Sequence, residues 1–366
     1  MPVGISTLIF FTEDDFMAKR YIAYVSTYTR SNDKGIRIYD VDAKKGRLVE
    51  REEIAIKNSS YLTISHNQKY IYSITDFGVE AFKITEDLGL EMINMASING
   101  MRGCYISTDY TDKYMFVAGY HDGKITVLSL NEDGSIGTIT DEVFHQGMGS
   151  ISERTSRPHI RCVKMTRDNK YLCATDSGID QVKIYKFDHN NGTIKLVDAV
   201  RSEQESGPKY IKFSKDGKFA YIIHEINNSI VSYSYKDANG RPEFEKISKI
   251  STLNNYHTAD AAACAMKFSH DGKYIFCSNA GDNSVGAFEV NNKTGELEKK
   301  FVLPISGDYP KDIAIFPDNK HLISLNHQSG TMTFFNVDLE KNIIVMNGPE
   351  LKVKEGNTIT LLEFKE

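Results

Sequence analysis

The chain has 366 residues, a net charge of −5 and no basic run, so nucleic acid and anionic membranes are not expected as partners. Its five cysteines (Cys104, Cys162, Cys173, Cys264 and Cys277) are an odd number in a long chain, which argues against a disulfide scaffold and for a reducing, cytoplasmic location. Length alone would suggest two or three domains, but repeat architectures run long as one unit.

Residues 1–16 stand outside any repeat. Val3 to Phe11 is apolar, but it lacks a basic leader, Glu13-Asp14-Asp15 falls where a small-residue cleavage site would be, and it is too short to span a bilayer. The stretch is expected to be a disordered extension or a start-site artefact, with Met17 the functional beginning and residues 17–366 a single domain.

From there a Lys or Arg precedes a short aromatic and β-branched run seven times. The copies are Lys19-Arg20-Tyr21, Gln68-Lys69-Tyr70, Asp112-Lys113-Tyr114, Asn169-Lys170-Tyr171, Gly217-Lys218-Phe219, Gly272-Lys273-Tyr274 and Asn319-Lys320-His321. Their six intervals, 50, 44, 57, 48, 55 and 47 residues, have the size of propeller blades. Each unit reads as four strands, because apolar positions alternate and turn residues interrupt them at short intervals. In the fifth, Pro208 to Ser214 is strand a, Phe219 to Ile223 strand b, Ser229 to Tyr235 strand c and Phe244 to Ile250 strand d, with turns at Asp216-Gly217 and Asn227-Asn228. Blades covered on both faces account for 20 Tyr and 19 Phe.

The first copy begins at strand b, Arg20 to Ser26, whereas Thr358 to Phe364 is an orphan strand at the other end. Pairing the two removes two exposed edges. The sequence therefore predicts an all-β fold, a seven-bladed β-propeller in which the C-terminal strand closes the first blade.

In such a ring strand a lines the channel, and the b-c and d-a loops crowd one rim. The b-c segments are polar: Thr27-Tyr28-Thr29, Thr75-Asp76, Tyr120-His121-Asp122, Asp176-Ser177-Gly178, His224-Glu225, Ser278-Asn279 and Asn326-His327-Gln328. Before blade four, Arg154, Arg157, His159 and Arg161 fall within eight residues, and strand alternation would put His159 and Arg161 on one face. Arg suits bidentate capture of phosphate or carboxylate, and His suits proton transfer near neutral pH.

These residues resemble the seven-bladed lactonase family typified by bacterial 6-phosphogluconolactonase and related to fungal carboxymuconate-lactonising enzymes. The resemblance runs from about Tyr21 onward. Ser26-Thr27-Tyr28-Thr29 followed by Gly35-Ile36 is similar to the family's Gly-Thr-Tyr-Thr and Gly-Ile opening, and Asn58-Ser59-Ser60 to its Asn-Pro-Ser. Arg154 through Arg161 resembles its Arg-Gln and Pro-His-x-His stretch, with Asp176-Ser177-Gly178-Ile179-Asp180 for the following turn. Gly207-Pro208-Lys209-Tyr210, Glu225, Ser278-Asn279 and Tyr309-Pro310-Lys311 fall where the family has Gly-Pro-Arg-His, Asn-Glu, Ser-Asn-Arg and Tyr-Pro-Arg. The chain departs from the pattern at Arg161 and Tyr210, which replace His, at Lys209 and Lys311, which replace Arg, and at Ala280, which replaces Arg. Lys lacks the planar fork of Arg, so these changes bear on substrate identity.

The resemblance implies hydrolysis of an acidic or phosphorylated sugar lactone. On that reading His159 is the base, or Glu225 if His159 is too far from the carbonyl; Arg154 and Arg161 stabilise the oxyanion and Asp176 orients His159 or a cationic partner. Lys209 and Lys311 hold the anionic group, and Tyr210, Asn279 and His327 complete the substrate site. The alternatives are a lactonase or lactonising enzyme with another substrate, and a non-catalytic propeller that serves as a ligand-binding or protein-interaction platform.

No cofactor or metal is expected. The chain lacks a Cys-x-x-Cys pair, a His-Glu-x-x-His motif, a dinucleotide glycine pattern and a Gly-x-Ser-x-Gly elbow. Rim carboxylates Asp76, Asp176 and Glu225 could offer oxygens to calcium, but nearby cations argue against a divalent ion.

Overall fold

The computed structural model describes residues 20–29, 34–150, 156–254 and 260–364. The expected extension at residues 1–16 lies outside them. Regular structure among the described residues is all strand, gathered into seven antiparallel sheets that form the blades of a ring.

Blade 5 shows why the sequence folds this way. Its strands a to d are Pro208–Phe213, Phe219–His224, Ser229–Asp237 and Pro242–Ser251. At the a-b turn the Ser214 hydroxyl donates to Asp216 Oδ1 at 2.7 Å, the Lys218 amide donates to the same oxygen at 3.2 Å, and Gly217 has φ of 74°. Gln68, Asp112, Asn169, Gly272 and Asn319 take the same left-handed step immediately before their lysines. The repeated cue is thus a turn that needs a residue tolerant of positive φ ahead of the Lys.

Between blades, aromatic and β-branched side chains interdigitate. Tyr221, Ile223 and Ile230 of blade 5 pack with Met266, Ile275 and Phe288 of blade 6, all of them buried. Truncating a wholly buried ring such as Phe288 to Ala would cost about 3–5 kcal/mol through lost transfer energy and the cavity left behind.

The ring closes as the sequence predicts. Strand Gly356–Phe364 pairs antiparallel with Arg20–Thr27, placing Ile22 opposite Leu362 and Val25 opposite Ile359. The seam is also tied to blade 7, since Thr358 Oγ1 and the Ile359 amide donate to Asp312 Oδ2 at 2.8 and 2.9 Å. Blade 7 carries a small addition: Ile343–Met346 and Leu351–Lys352 both pair with its third strand, Thr331–Asp338.

Candidate functional site

Five of the innermost strands lose register at the same point. Against strand b, Arg161 is the extra residue between Ile160 and Cys162, Lys209 between Pro208 and Tyr210, Lys311 between Pro310 and Asp312, and Asn357 between Gly356 and Thr358. In blade 6, Cys264 and Ala265 occupy the corresponding gap. A β-bulge bends its strand and re-aims a side chain. Here Arg161, Lys209, Cys264, Lys311 and Asn357 all turn into one cavity of about 380 Å³ at the channel mouth, walled further by Tyr28, Arg102, Tyr120, His121, Glu225 and Tyr309.

The cavity is strongly cationic. Arg102, Arg161, Lys209, Lys212, Lys267 and Lys311 line it, against two carboxylates, Glu225 and Asp312. Glu225 bridges two of the cations: Arg161 Nη2 lies 2.8 Å from Oε2, and Lys209 Nζ lies 3.2 Å from Oε1. Lys209 also donates to Cys264 Sγ at 3.2 Å. Burial is the largest influence on both cations and pushes them towards neutrality, but Glu225, Cys104, Tyr210 and Tyr120 together outweigh it at Arg161, and Cys264 with Glu225 outweighs it at Lys209, so both pKa values are raised.

Lys311 differs. Its ammonium donates to Asn357 Oδ1 at 2.6 Å and lies 4.9 Å from the Tyr28 ring centroid. Burial, reinforced by Lys209, Arg161 and Arg102, pulls its pKa down to about 8. Arg102 also lies 4.9 Å from the Tyr28 centroid and pairs with Asp76 at 3.1 Å. Burial raises the phenol pKa values of Tyr61 and Tyr210 well above normal, which keeps these residues as neutral hydroxyl donors.

Of the residues expected at the site, the structure brings together Arg161, Glu225, Lys209, Tyr210 and Lys311. Arg154 lies outside the described residues. His159 does not line the cavity. The bulge at Arg161 breaks the alternation that would place the two side chains on one face, and His159 is buried, stacked on Tyr120 at 4.3 Å with Nδ1 donating to the Tyr120 carbonyl at 2.8 Å. Asp176 is wholly buried and engages His145 instead of the His159 ring: His145 Nδ1 is 2.6 Å from Oδ2, while the His159 and Gly178 amides donate to Oδ1. Asn279 turns into its blade and donates to the Thr252 carbonyl and Ser284 Oγ. His327 donates to the Gly356 carbonyl at 2.8 Å, behind Tyr28.

Sequence reasoning left Arg102, His121, Tyr120, Tyr309 and Asn357 out of the site. Tyr120 and His121 were legible as polar rim residues, and His121 is the exposed imidazole on the cavity wall. Arg102 and Asn357 carried no signal. The carboxylates weighed for calcium do not converge, since Asp76 pairs with Arg102, Asp176 with His145 and Glu225 with Arg161. Among the described residues no group of three or more His, Cys, Asp or Glu side chains is placed to hold a metal ion.

The family model described as lactonase, 7-bladed beta-propeller, matches residues 22–361. The chain belongs to this lactonase family. It is 30% identical over 327 residues to the 6-phosphogluconolactonase of Bacillus subtilis, covering 88% of this chain and 92% of that one. An uncharacterized protein of Staphylococcus epidermidis is 33% identical over 318 residues, covering 84% of this chain and 90% of that one. Among solved structures, a candidate 6-phosphogluconolactonase of Bacteroides fragilis superposes with a TM-score of 0.85 at 28% identity, covering 94% of this chain and 98% of that one. The periplasmic gluconolactonase of Pseudomonas aeruginosa gives 0.87 at 23% identity, covering 94% and 99%, and shares the fold.

Proposed function

We propose that this lactonase relative hydrolyses an anionic sugar lactone, phosphorylated or carboxylated, in the channel-mouth cavity. The observation that carries the reading is charge segregation: six basic side chains against two acidic ones line the cavity of a chain whose net charge is −5. Buried cations drawn from separate blades repel unless an anion lies among them. The likeness to the 6-phosphogluconolactonase of Bacillus subtilis supports the same substrate class.

In this mechanism water adds to the lactone carbonyl, the oxygen becomes an oxyanion, and the ring C–O bond then breaks to give a hydroxy acid. Glu225 takes the role of base, because His159 is enclosed beneath Tyr120 whereas the Glu225 carboxylate faces the cavity. Arg161, held by Glu225, is the donor nearest to hand for the oxyanion. Lys209 and Lys311 hold the substrate's anionic group, and the aromatic walls Tyr28, Tyr120 and Tyr210 flank the sugar ring. The cytoplasmic location stays part of this proposal and rests on cysteine usage.

A panel of sugar lactones at neutral pH, with spontaneous ring opening subtracted, tests the reading. Turnover of an acidic or phosphorylated lactone, undiminished by EDTA, is expected. Absence of catalysis across the panel would reject it.

One observation favours the platform reading. Phe77, Met101, Phe144 and Met148, on the mouth-side loops and strand ends of blades 2 and 3, are 66%, 53%, 58% and 88% exposed. A protein partner on that rim would leave anion binding intact with no turnover, an outcome the same panel combined with a binding measurement identifies.

A further inference from the structure

The bulge cations are not the only tier. Three residues beyond the bulge in blades 4, 5 and 6 stand Lys164, Lys212 and Lys267, opposite Cys173, Tyr221 and Phe276 of the respective second strands. The register is the same in all three, so the lysines form an arc on consecutive inner strands, deeper in the channel. Lys212 and Lys267 line the same cavity as Arg161 and Lys209, so this level is continuous with the mouth. Tyr61 and Tyr210 also line the cavity, and Tyr105 connects them, with ring centroids 4.5 and 5.7 Å apart in succession.

Charge in this lower tier is not balanced by protein. Asp312 reaches Lys267 at 3.2 Å, and the same oxygen already accepts from Thr358 and Ile359. Among the described residues Lys164 and Lys212 have no hydrogen-bond or ion-pair partner. Burial first, then Lys267 and Lys164, pulls the Lys212 pKa down to about 8, and burial lowers that of Lys164. Two unmatched ammonium groups on adjoining strands, that of Lys212 open to the cavity and that of Lys164 beside it, fit a ligand with two negative charges and several acceptor oxygens.

We propose that the lower channel is a second anion site, distinct from the bulge cations around Glu225, in which Lys164, Lys212 and Lys267 bind a divalent oxyanion of the phosphate class. The anion is either the phosphoryl group of a bound substrate, which would then reach past Lys209 and Lys311 to this deeper level, or free inorganic phosphate. The site does not depend on hydrolysis, so it can stand or fall apart from the function proposed above.

Titration with inorganic phosphate at neutral pH, followed by calorimetry and by melting temperature, tests the site. Wild type is expected to bind phosphate and to melt at a higher temperature in about 10 mM phosphate than without it. Lys212→Gln should weaken binding by about tenfold or more and abolish the phosphate-dependent rise, and Lys164→Gln should do the same to a smaller degree. In phosphate-free buffer both variants should melt no lower than wild type, because each removes a repelled charge; this separates loss of a site from loss of fold. If the preference for a phosphorylated over an unphosphorylated lactone also falls in Lys212→Gln, the anion is the substrate's phosphoryl group. If phosphate binding is lost and the preference is unchanged, or if no lactone is turned over at all, the anion is free phosphate. Phosphate binding that is absent in wild type, or that survives both substitutions and is lost only in Arg161→Ala, overturns the proposal.

Discussion

Blade 1 and blade 5 have the same four antiparallel strands but opposite histories along the chain. Blade 5 is one continuous stretch from Pro208 to Ser251, whereas blade 1 joins Gly356–Phe364 to Arg20–Ile54. Both nevertheless carry a bulge at the same level, leaving Lys209 unpaired in one and Asn357 in the other. The bulge therefore belongs to ring position and not to connectivity, and the residue inserted there sets the chemistry. Lys209 is held by Glu225 and lines the cavity, while Asn357 bridges Lys311 Nζ and the Ser59 carbonyl across the seam.

Breaking the seam is the most drastic test of that comparison. Deleting residues 356–364 removes the whole pairing with Arg20–Thr27 and both seam donors to Asp312. Calorimetry should show no cooperative unfolding, whereas an unchanged transition would mean that closure contributes nothing. On the cavity side, Arg161→Ala and Lys209→Ala should each weaken binding of 6-phosphogluconate, the hydrolysis product, by about 1.5–3 kcal/mol, the scale for a hydrogen bond to a charged group. Isothermal titration checks this.

The Lys311 pKa of about 8 gives a pH signature with two signs. Below it the ammonium is present and attracts the product; as pH rises through it the charge is lost, so affinity for 6-phosphogluconate should fall, and Lys311→Met should flatten the fall. Stability should move the other way. The folded-state pKa lies below the ordinary lysine value, so between the two the unfolded chain binds more protons, and the Lys311 contribution to stability increases with pH across that window. Melting temperature and affinity measured over one pH series would separate the two. Asn357→Ala removes the acceptor of the Lys311 ammonium and the donor to the Ser59 carbonyl, and should cost about 1.5–3 kcal/mol of stability, the scale for a hydrogen bond to a charged group, read as a fall in melting temperature.

The ring was readable because its signals are local. The Asp/Asn/Gly-Lys cue marks turns that need positive φ, and the alternating Thr358 to Phe364 segment had an obvious partner in a first blade lacking strand a. Arg161, Glu225, Lys209 and Lys311 were reached through motif resemblance. The bulges were not legible: nothing in Pro158-His159-Ile160-Arg161 announces an extra residue, and one insertion reverses which side chains share a face. The same holds for polar residues at the ends of second strands. Asn279 and Asp176 were expected at the mouth, but they turn inward to satisfy the Thr252 carbonyl, His145 and the His159 amide, partners 17 to 31 residues away that only the folded ring brings close. Likewise the carbonyl that occupies His159 belongs to Tyr120, in the preceding blade.

The most direct test is the initial rate of 6-phosphogluconolactone hydrolysis at neutral pH, with spontaneous opening subtracted, for wild type, Glu225→Gln and Arg161→Ala. The account predicts catalysed turnover in wild type that falls by about 100-fold or more in each variant, the scale for losing a group that acts in the transition state. A wild-type rate no faster than spontaneous opening, or variants as active as wild type, would contradict it.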